Sequence, residues 1–178
     1  LAGNAFLYAR GVDIGEASLK VLQEELTPEN LQAAKDIMSK YSERIILPTD
    51  VAVERDGKRV SVLIGDLPSA EPALDIGDES IEKFRKILLA SKTCFMSGPA
   101  GMYEKEGFGE GTYEIMSAMI ESEGQSVIGG GHTVGAADRF DFTDRFSYVS
   151  TGGGALETFL LGEPLPVIDA LRYSFKNL

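Results

Sequence analysis

Apolar positions along this chain switch repeatedly between helical and strand-like spacing. Residues 5–9 read as the inside of a helix, and Gly11 and Gly15 then punctuate a loop. Leu19, Val21, Leu22 and Leu26 outline a short apolar turn or helix. Thr27-Pro28-Glu29 is a strong helix start, with threonine as cap, proline in the first turn and an early acid. Leu31, Ala34, Ile37, Met38 and Tyr41 continue it at helical spacing. Residues 44–47 read as a short buried strand. Val51 to Glu54 and Arg59 to Ile64 flank Arg55-Asp56-Gly57-Lys58, a hairpin signal. Its simplest place is a small antiparallel flap beside a main sheet.

From residue 80 onward strands and helices alternate. Ile81, Phe84, Ile87 and Leu88 mark one face of a helix over 80–90, and residues 92–96 follow as a strand. Tyr113, Met116, Met119 and Ile120 mark another helix and read as core. Strands at 126–128 and 146–150 bracket a helix over 133–140. Helices over 155–161 and 168–173 close the chain. This order predicts an α/β fold: three layers, α/β/α, around a mostly parallel, Rossmann-like sheet covered on both faces, with a small antiparallel hairpin. No repeat and no linker divides the sequence.

Glycine changes the picture. Its 20 residues cluster, and three dense stretches each adjoin an apolar run and precede a helical pattern. They are Gly98-Pro99-Ala100-Gly101, Gly129-Gly130-Gly131-His132-Thr133 and Thr151-Gly152-Gly153-Gly154. All three follow predicted strands, so all belong at the carboxyl edge, where open α/β sheets bind ligands. Glycines at a helix start let an anion approach bare N–H groups that lack an intrahelical partner. The pattern points to phosphate. The alternative is a set of merely tight strand-to-helix turns.

Composition narrows the partners. The chain has 178 residues and a formal net charge of −11, which argues against nucleic acid. No apolar stretch is long enough to span a bilayer, and nothing marks a secretory signal, so the cytoplasm is the default expectation. Cys94, the single cysteine, sits in an apolar run and reads as core. His132, the single histidine, excludes catalytic triads and two-histidine metal sites. It either contacts phosphate or only solvates a helix start. Thr133 beside it suits helix capping, a phosphate oxygen, or both. Glu104 suits a ribose hydroxyl or is a surface acid. No Walker loop is present, and Gly129, Gly131 and Gly135 miss the dinucleotide fingerprint by one residue. The acidity poses a puzzle, because phosphate handling needs positive charge. The opening Leu1-Ala2-Gly3-Asn4, without methionine or a leading strand, reads as cropped from a longer polypeptide.

Taken in order, the motifs resemble the C-terminal, nucleotide-binding half of phosphoglycerate kinase. Ala2-Gly3-Asn4-Ala5-Phe6-Leu7 resembles the segment after that family's double-glycine turn. Leu47-Pro48-Thr49-Asp50-Val51 is similar to Leu-Pro-Val-Asp-Val, and Leu74-Asp75-Ile76-Gly77 to Leu-Asp-Ile-Gly. Ser97-Gly98-Pro99-Ala100-Gly101-Met102-Tyr103-Glu104 resembles Asn-Gly-Pro-Met-Gly-Val-Phe-Glu. Gly129-Gly130-Gly131-His132-Thr133 resembles Gly-Gly-Gly-Asp-Ser/Thr, and Ser150 to Ala155 is identical to the family's form. Leu165-Pro166-Val167 and Ala170-Leu171 resemble its closing segment. The histidine form is similar to archaeal members.

The resemblance implies that residues 1–178 are the nucleotide domain of a two-domain kinase, with the N-terminal substrate domain and upstream strands absent. The family moves a phosphoryl group reversibly between 1,3-bisphosphoglycerate and Mg-ADP, giving 3-phosphoglycerate and Mg-ATP. It implies adenine near Leu74, Gly98, Pro99, Gly101 and Met102, with Leu19 as a further candidate, and ribose at Glu104. It places nucleotide phosphates at Gly130, Gly131, His132 and Thr133, and the transferring group at Gly152, Gly153 and Gly154. Three departures stand out. His132 replaces a metal-holding aspartate, and imidazole is a poor Mg ligand, so the metal ligands are left open. Ser97 replaces asparagine. The lysine-bearing Gly-Gly-Ala-Lys loop belongs upstream of Leu1, which would explain the acidity and leave this chain alone inactive. The rival readings are an NAD-dependent oxidoreductase domain and a non-catalytic nucleotide-binding module.

Overall fold

The computed structural model describes residues 2–23 and 26–176. Leu1, where cropping is expected, lies outside them. The chain is mixed α/β and divides into two compact units. One holds the residues up to Ile87 together with Ala100–Ile115, and the other holds Leu88–Pro99 and the residues from Met116 onward. No linker announces the division, because the chain crosses it twice inside helices, in α4 (Asp78–Leu89) and α5 (Glu110–Glu121).

The first unit is built on an antiparallel sheet. Strands β1 (Asp50–Arg55) and β2 (Lys58–Leu63) form the expected hairpin around Asp56-Gly57. A third strand, β3 (Asp75–Ile76), pairs on the other side of β1, so the order is β2-β1-β3. β1 is therefore the central strand of a small antiparallel sheet that has a core of its own. Val51, Val53 and Val62 from the hairpin meet Leu7 of α1 (Ala2–Ala9), Leu22 of α2 (Gly15–Leu22), Ile14 and Leu47 in that core. Thr27 caps α3 (Pro28–Tyr41) by accepting the Asn30 N–H at 3.2 Å, as the sequence predicts. Residues 44–47 are not the expected strand: Arg44 ends a short helical turn and irregular backbone follows it. Pro48 offers no N–H to a ladder, so Leu47 buries its side chain from irregular backbone.

Among the described residues of this unit two carboxylates are buried. Asp50 accepts hydrogen bonds from the Glu79 and Ser80 N–H groups at 3.0 and 2.8 Å, and from the Ser80 hydroxyl at 2.6 Å. It thereby satisfies the open start of α4, where an anion also complements the helix dipole. Asp75 is the second.

The second unit carries the parallel sheet. Among the described residues its order is β4 (Thr93–Ser97), β5 (Gln125–Gly129) and β6 (Tyr148–Ser150). Helices α6 (Gly131–Arg139), α7 (Gly153–Leu160) and α8 (Pro166–Lys176) belong to it. Cys94 and Met96 point into the core with Ile128, and Met116 and Met119 of α5 are buried, as expected. The opposite face is more open than predicted. Phe95, Val127 and Tyr148 share a row by register, and Phe95 is 44% and Tyr148 60% exposed. No residue of α7 or α8 is itself buried, although Leu156 of α7 lies against Gly129 of β5.

Candidate functional site

The register of the second unit brings its three strand ends level. Ser97 pairs with Gly129, and Gly129 with Ser150. Each strand then runs directly into one of the glycine stretches, which share one carboxyl edge. That placement matches the sequence expectation.

The stretches are tied together by backbone. Gly153 approaches Gly130 so closely that a Cβ on residue 153 would lie 2.7 Å from the Gly130 Cα and 3.1 Å from its nitrogen. Only glycine permits this contact. It sets the start of α7, at Gly152 and Gly153, beside the start of α6, at Gly130 and Gly131. Helix geometry leaves first-turn N–H groups without an intrahelical carbonyl, so two partly positive helix ends converge. Around Gly131 and Gly154 the space is open, since a Cβ at either would meet nothing within 4 Å. His132 is exposed on the first turn of α6.

Thr133 takes a structural position. It is fully buried, and its hydroxyl accepts the Gly98 N–H at 2.7 Å, fastening the first glycine stretch to the second. Ser97, the position where the resemblance implies asparagine, donates its hydroxyl to Glu157 of α7 at 2.7 Å. Ser97 Oγ would also lie 3.7 Å from a Cβ on Gly130, so the Glu157 carboxylate reaches the rim of the glycine cluster. Sequence reasoning passed over Glu157, because only the fold brings it to Ser97. Among the described residues no three His, Cys, Asp or Glu side chains gather to hold a metal unaided.

Pro99 is the last residue of its stretch in the second unit, and the other expected residues, Leu19, Leu74, Gly101, Met102 and Glu104, lie in the first, since the chain passes between units from Pro99 to Ala100. Leu74 and Met102 are neighbours: the Met102 N–H donates to the Leu74 carbonyl at 2.8 Å. Leu74 is half-buried and Met102 45% exposed, an apolar pair that solvent can reach. Glu104 is exposed two residues on, in the turn that the Lys105 N–H closes onto the Met102 carbonyl at 2.9 Å. Leu19 packs against the core of this unit. The neighbouring Ser18 hydroxyl accepts the Ala73 N–H at 3.1 Å, which anchors α2 to the segment bearing Leu74.

Behind this surface lies Asp75, which the sequence showed only as part of a motif. Its carboxylate accepts the Ile76 and Gly111 N–H groups, both at 2.8 Å. Burial pushes its pKa up to about 6, against the opposing pull of those two N–H groups and of Arg59. Arg59 also pairs with Asp78, holding that carboxyl below its usual range.

The site is thus that of an α/β protein whose bare helix starts gather at one sheet edge. The family model for phosphoglycerate kinase matches residues 1–163. A phosphoglycerate kinase of Methanopyrus kandleri is 43% identical over 171 residues, covering 96% of this chain and 42% of the relative. That of Methanothermus fervidus is 39% identical, covering 99% and 43%. The crystal structure of phosphoglycerate kinase from Pyrococcus horikoshii OT3 superposes with a TM-score of 0.88 at 32% identity, covering 99% of this chain and 44% of that one. The Coxiella burnetii enzyme gives 0.82 at 36% identity, covering 94% and 43%. This chain belongs to the phosphoglycerate kinase family, and it spans less than half the length of the relatives it matches. No helix among the described residues is long and apolar enough to cross a membrane.

Proposed function

We propose that this chain is the nucleotide-binding part of a phosphoglycerate kinase, a phosphotransferase that exchanges a phosphoryl group between 1,3-bisphosphoglycerate and Mg-ADP. The observation that supports it most is the Gly153–Gly130 contact, which lays two bare helix starts side by side. Phosphoryl transfer needs positioning and charge stabilisation more than acid–base chemistry, and fixed N–H dipoles supply both. In this reading Gly130, Gly131 and His132 meet the nucleotide phosphates, and Thr133 holds Gly98 in place beside them. The N–H groups of the first turn of α7, from Gly152 to Gly154, face the group in transfer. Leu74, Pro99 and Met102 take the adenine, with Gly98 and Gly101 shaping their loop, and Glu104 takes the ribose.

Bound Mg would neutralise charge on the phosphate oxygens. Magnesium prefers hard oxygen donors, which fits the Glu157 carboxylate and the Ser97 hydroxyl and not the His132 imidazole. With so few protein donors gathered, the ion would share the phosphates, its usual habit. Binding of 3-phosphoglycerate, and the lysines that balance transferring charge, are assigned to the portion of the longer relatives that this chain does not span. We therefore expect the 178-residue chain to bind nucleotide without turning it over. Calorimetric titration with Mg-ADP and with NAD tests the reading. Saturable Mg-ADP binding, weakened in Gly153→Val, is expected. NAD binding with no ADP binding would transfer the chain to the oxidoreductase reading.

A further inference from the structure

The buried Asp75 is not explained by sheet or core. Asp75 is 4% exposed, and its carboxylate receives the loop that bears Met102 and Glu104. A Cβ on Gly101 would lie 2.3 Å from Asp75 Oδ1, and one on Gly111 would lie 2.2 Å from it, so both backbones rest directly on the acid. Thr112, fully buried, completes the seat: its hydroxyl accepts the N–H groups of Ala100 at 3.1 Å and Gly101 at 3.2 Å. The Met102 N–H then donates to the carbonyl of Leu74, the residue just before Asp75.

We propose that Asp75, acting with Thr112, is a positioning residue that sets the Met102–Glu104 turn for adenosine and makes adenosine affinity depend on the ionisation of its carboxyl. This rests on the nucleotide reading above. The ionised form accepts two N–H groups at once. Protonation gives one oxygen a hydrogen directed at donors, and the seat loosens. The charged groups that face it are Arg59 from β2, which favours the ionised form, and Glu110 from α5, which opposes it. A half-ionisation point near 6 places this change within reach of ordinary buffers.

Adenosine, which carries no phosphate to titrate, is the probe, followed through the Met102 methyl resonance. For the unaltered chain the dissociation constant should rise about fivefold from about pH 8 to about pH 5. In Asp75→Asn it should be about tenfold weaker at the upper pH and flat with pH, while affinity for tripolyphosphate is unchanged. Thr112→Ser should keep the original affinity and Thr112→Val should lose it; this pair decides the matter if Asp75→Asn does not fold. Unaltered adenosine affinity and pH profile in Asp75→Asn, or in Thr112→Val where the first variant is unfolded, would overturn the assignment and leave the nucleotide reading standing. If the unaltered chain binds neither adenosine nor Mg-ADP, the nucleotide reading itself falls and takes this proposal with it.

Discussion

Gly153 is packed onto the backbone of Gly130, with room for no side chain between them. The neighbouring Gly154 has open space instead. This contrast separates two reasons for a glycine, fold and ligand, and makes them measurable. Gly153→Ala should cost about 1–3 kcal/mol, read by urea unfolding, because the added methyl forces α7 away from α6. Gly154→Ala should raise stability by roughly 0.5–1 kcal/mol, since alanine is the better helix residue. Both should weaken tripolyphosphate binding. A Gly154→Ala chain with unchanged affinity would show that no ligand approaches that amide.

Asp50 offers a test of the scaffold free of any ligand. Three donors converge on its buried carboxylate, two of them first-turn N–H groups of α4. Asp50→Ala strands those donors in a dry environment. The expected loss is about 2–4 kcal/mol, seen as a lower urea midpoint with unchanged slope. Ser80→Ala should follow in the same direction, because the Ser80 hydroxyl also accepts the Thr49 N–H at 2.8 Å.

Asp75 predicts a pH dependence whose sign is opposite to that of most acids. Its pKa is raised from 3.8 to about 6 in the folded chain, with burial as the main cause. Between those values the folded state keeps a proton that the unfolded state has lost. The stabilisation is complete below the unfolded value and is lost as pH rises through about 6, a swing of roughly 3 kcal/mol. Other carboxylates add their own slopes, so the quantity to measure is the difference between the unaltered chain and Asp75→Asn. Asp75→Asn lacks this gain, so the stability of the unaltered chain minus that of the variant should increase as pH falls from 6 to 4; a difference independent of pH over this window would refute the shift.

How much of this was legible beforehand depended on whether the signal was local. The strand–glycine–helix order is written in consecutive residues, so all three stretches and their shared edge could be read. The hairpin could be read from Asp56-Gly57 for the same reason. Strand β3 could not, since two residues carry no period and gain their strand character only from β1. Residues 44–47 misled because an apolar run was weighed without the missing donor of Pro48. The Asp75 seat was invisible because its partners, Gly101 and Gly111, lie far along the chain. Glu157 was overlooked likewise, sixty residues from Ser97. The two units left no mark because two of the three crossings between them lie inside helices and the third, from Pro99 to Ala100, lies inside a glycine stretch.

His132 and Glu157 divide the phosphate end between a direct contact and a metal-assisted one, and their variants should differ in kind. His132 stands exposed on the first turn of α6, a nitrogen donor of the wrong hardness for Mg. His132→Ala should therefore weaken ADP binding by a similar factor with and without Mg, while the unfolding midpoint stays put. Glu157 brings an oxygen anion to the same cluster through Ser97. Glu157→Gln should leave metal-free ADP binding unchanged or slightly tighter, because a negative charge near phosphate is gone. It should also erase about tenfold of the gain that Mg confers. Paired calorimetric titrations, with Mg and with a chelator, read both effects in one series. An unchanged Mg gain in Glu157→Gln would remove that carboxylate from the metal, and a Mg gain lost in His132→Ala would move the metal to α6.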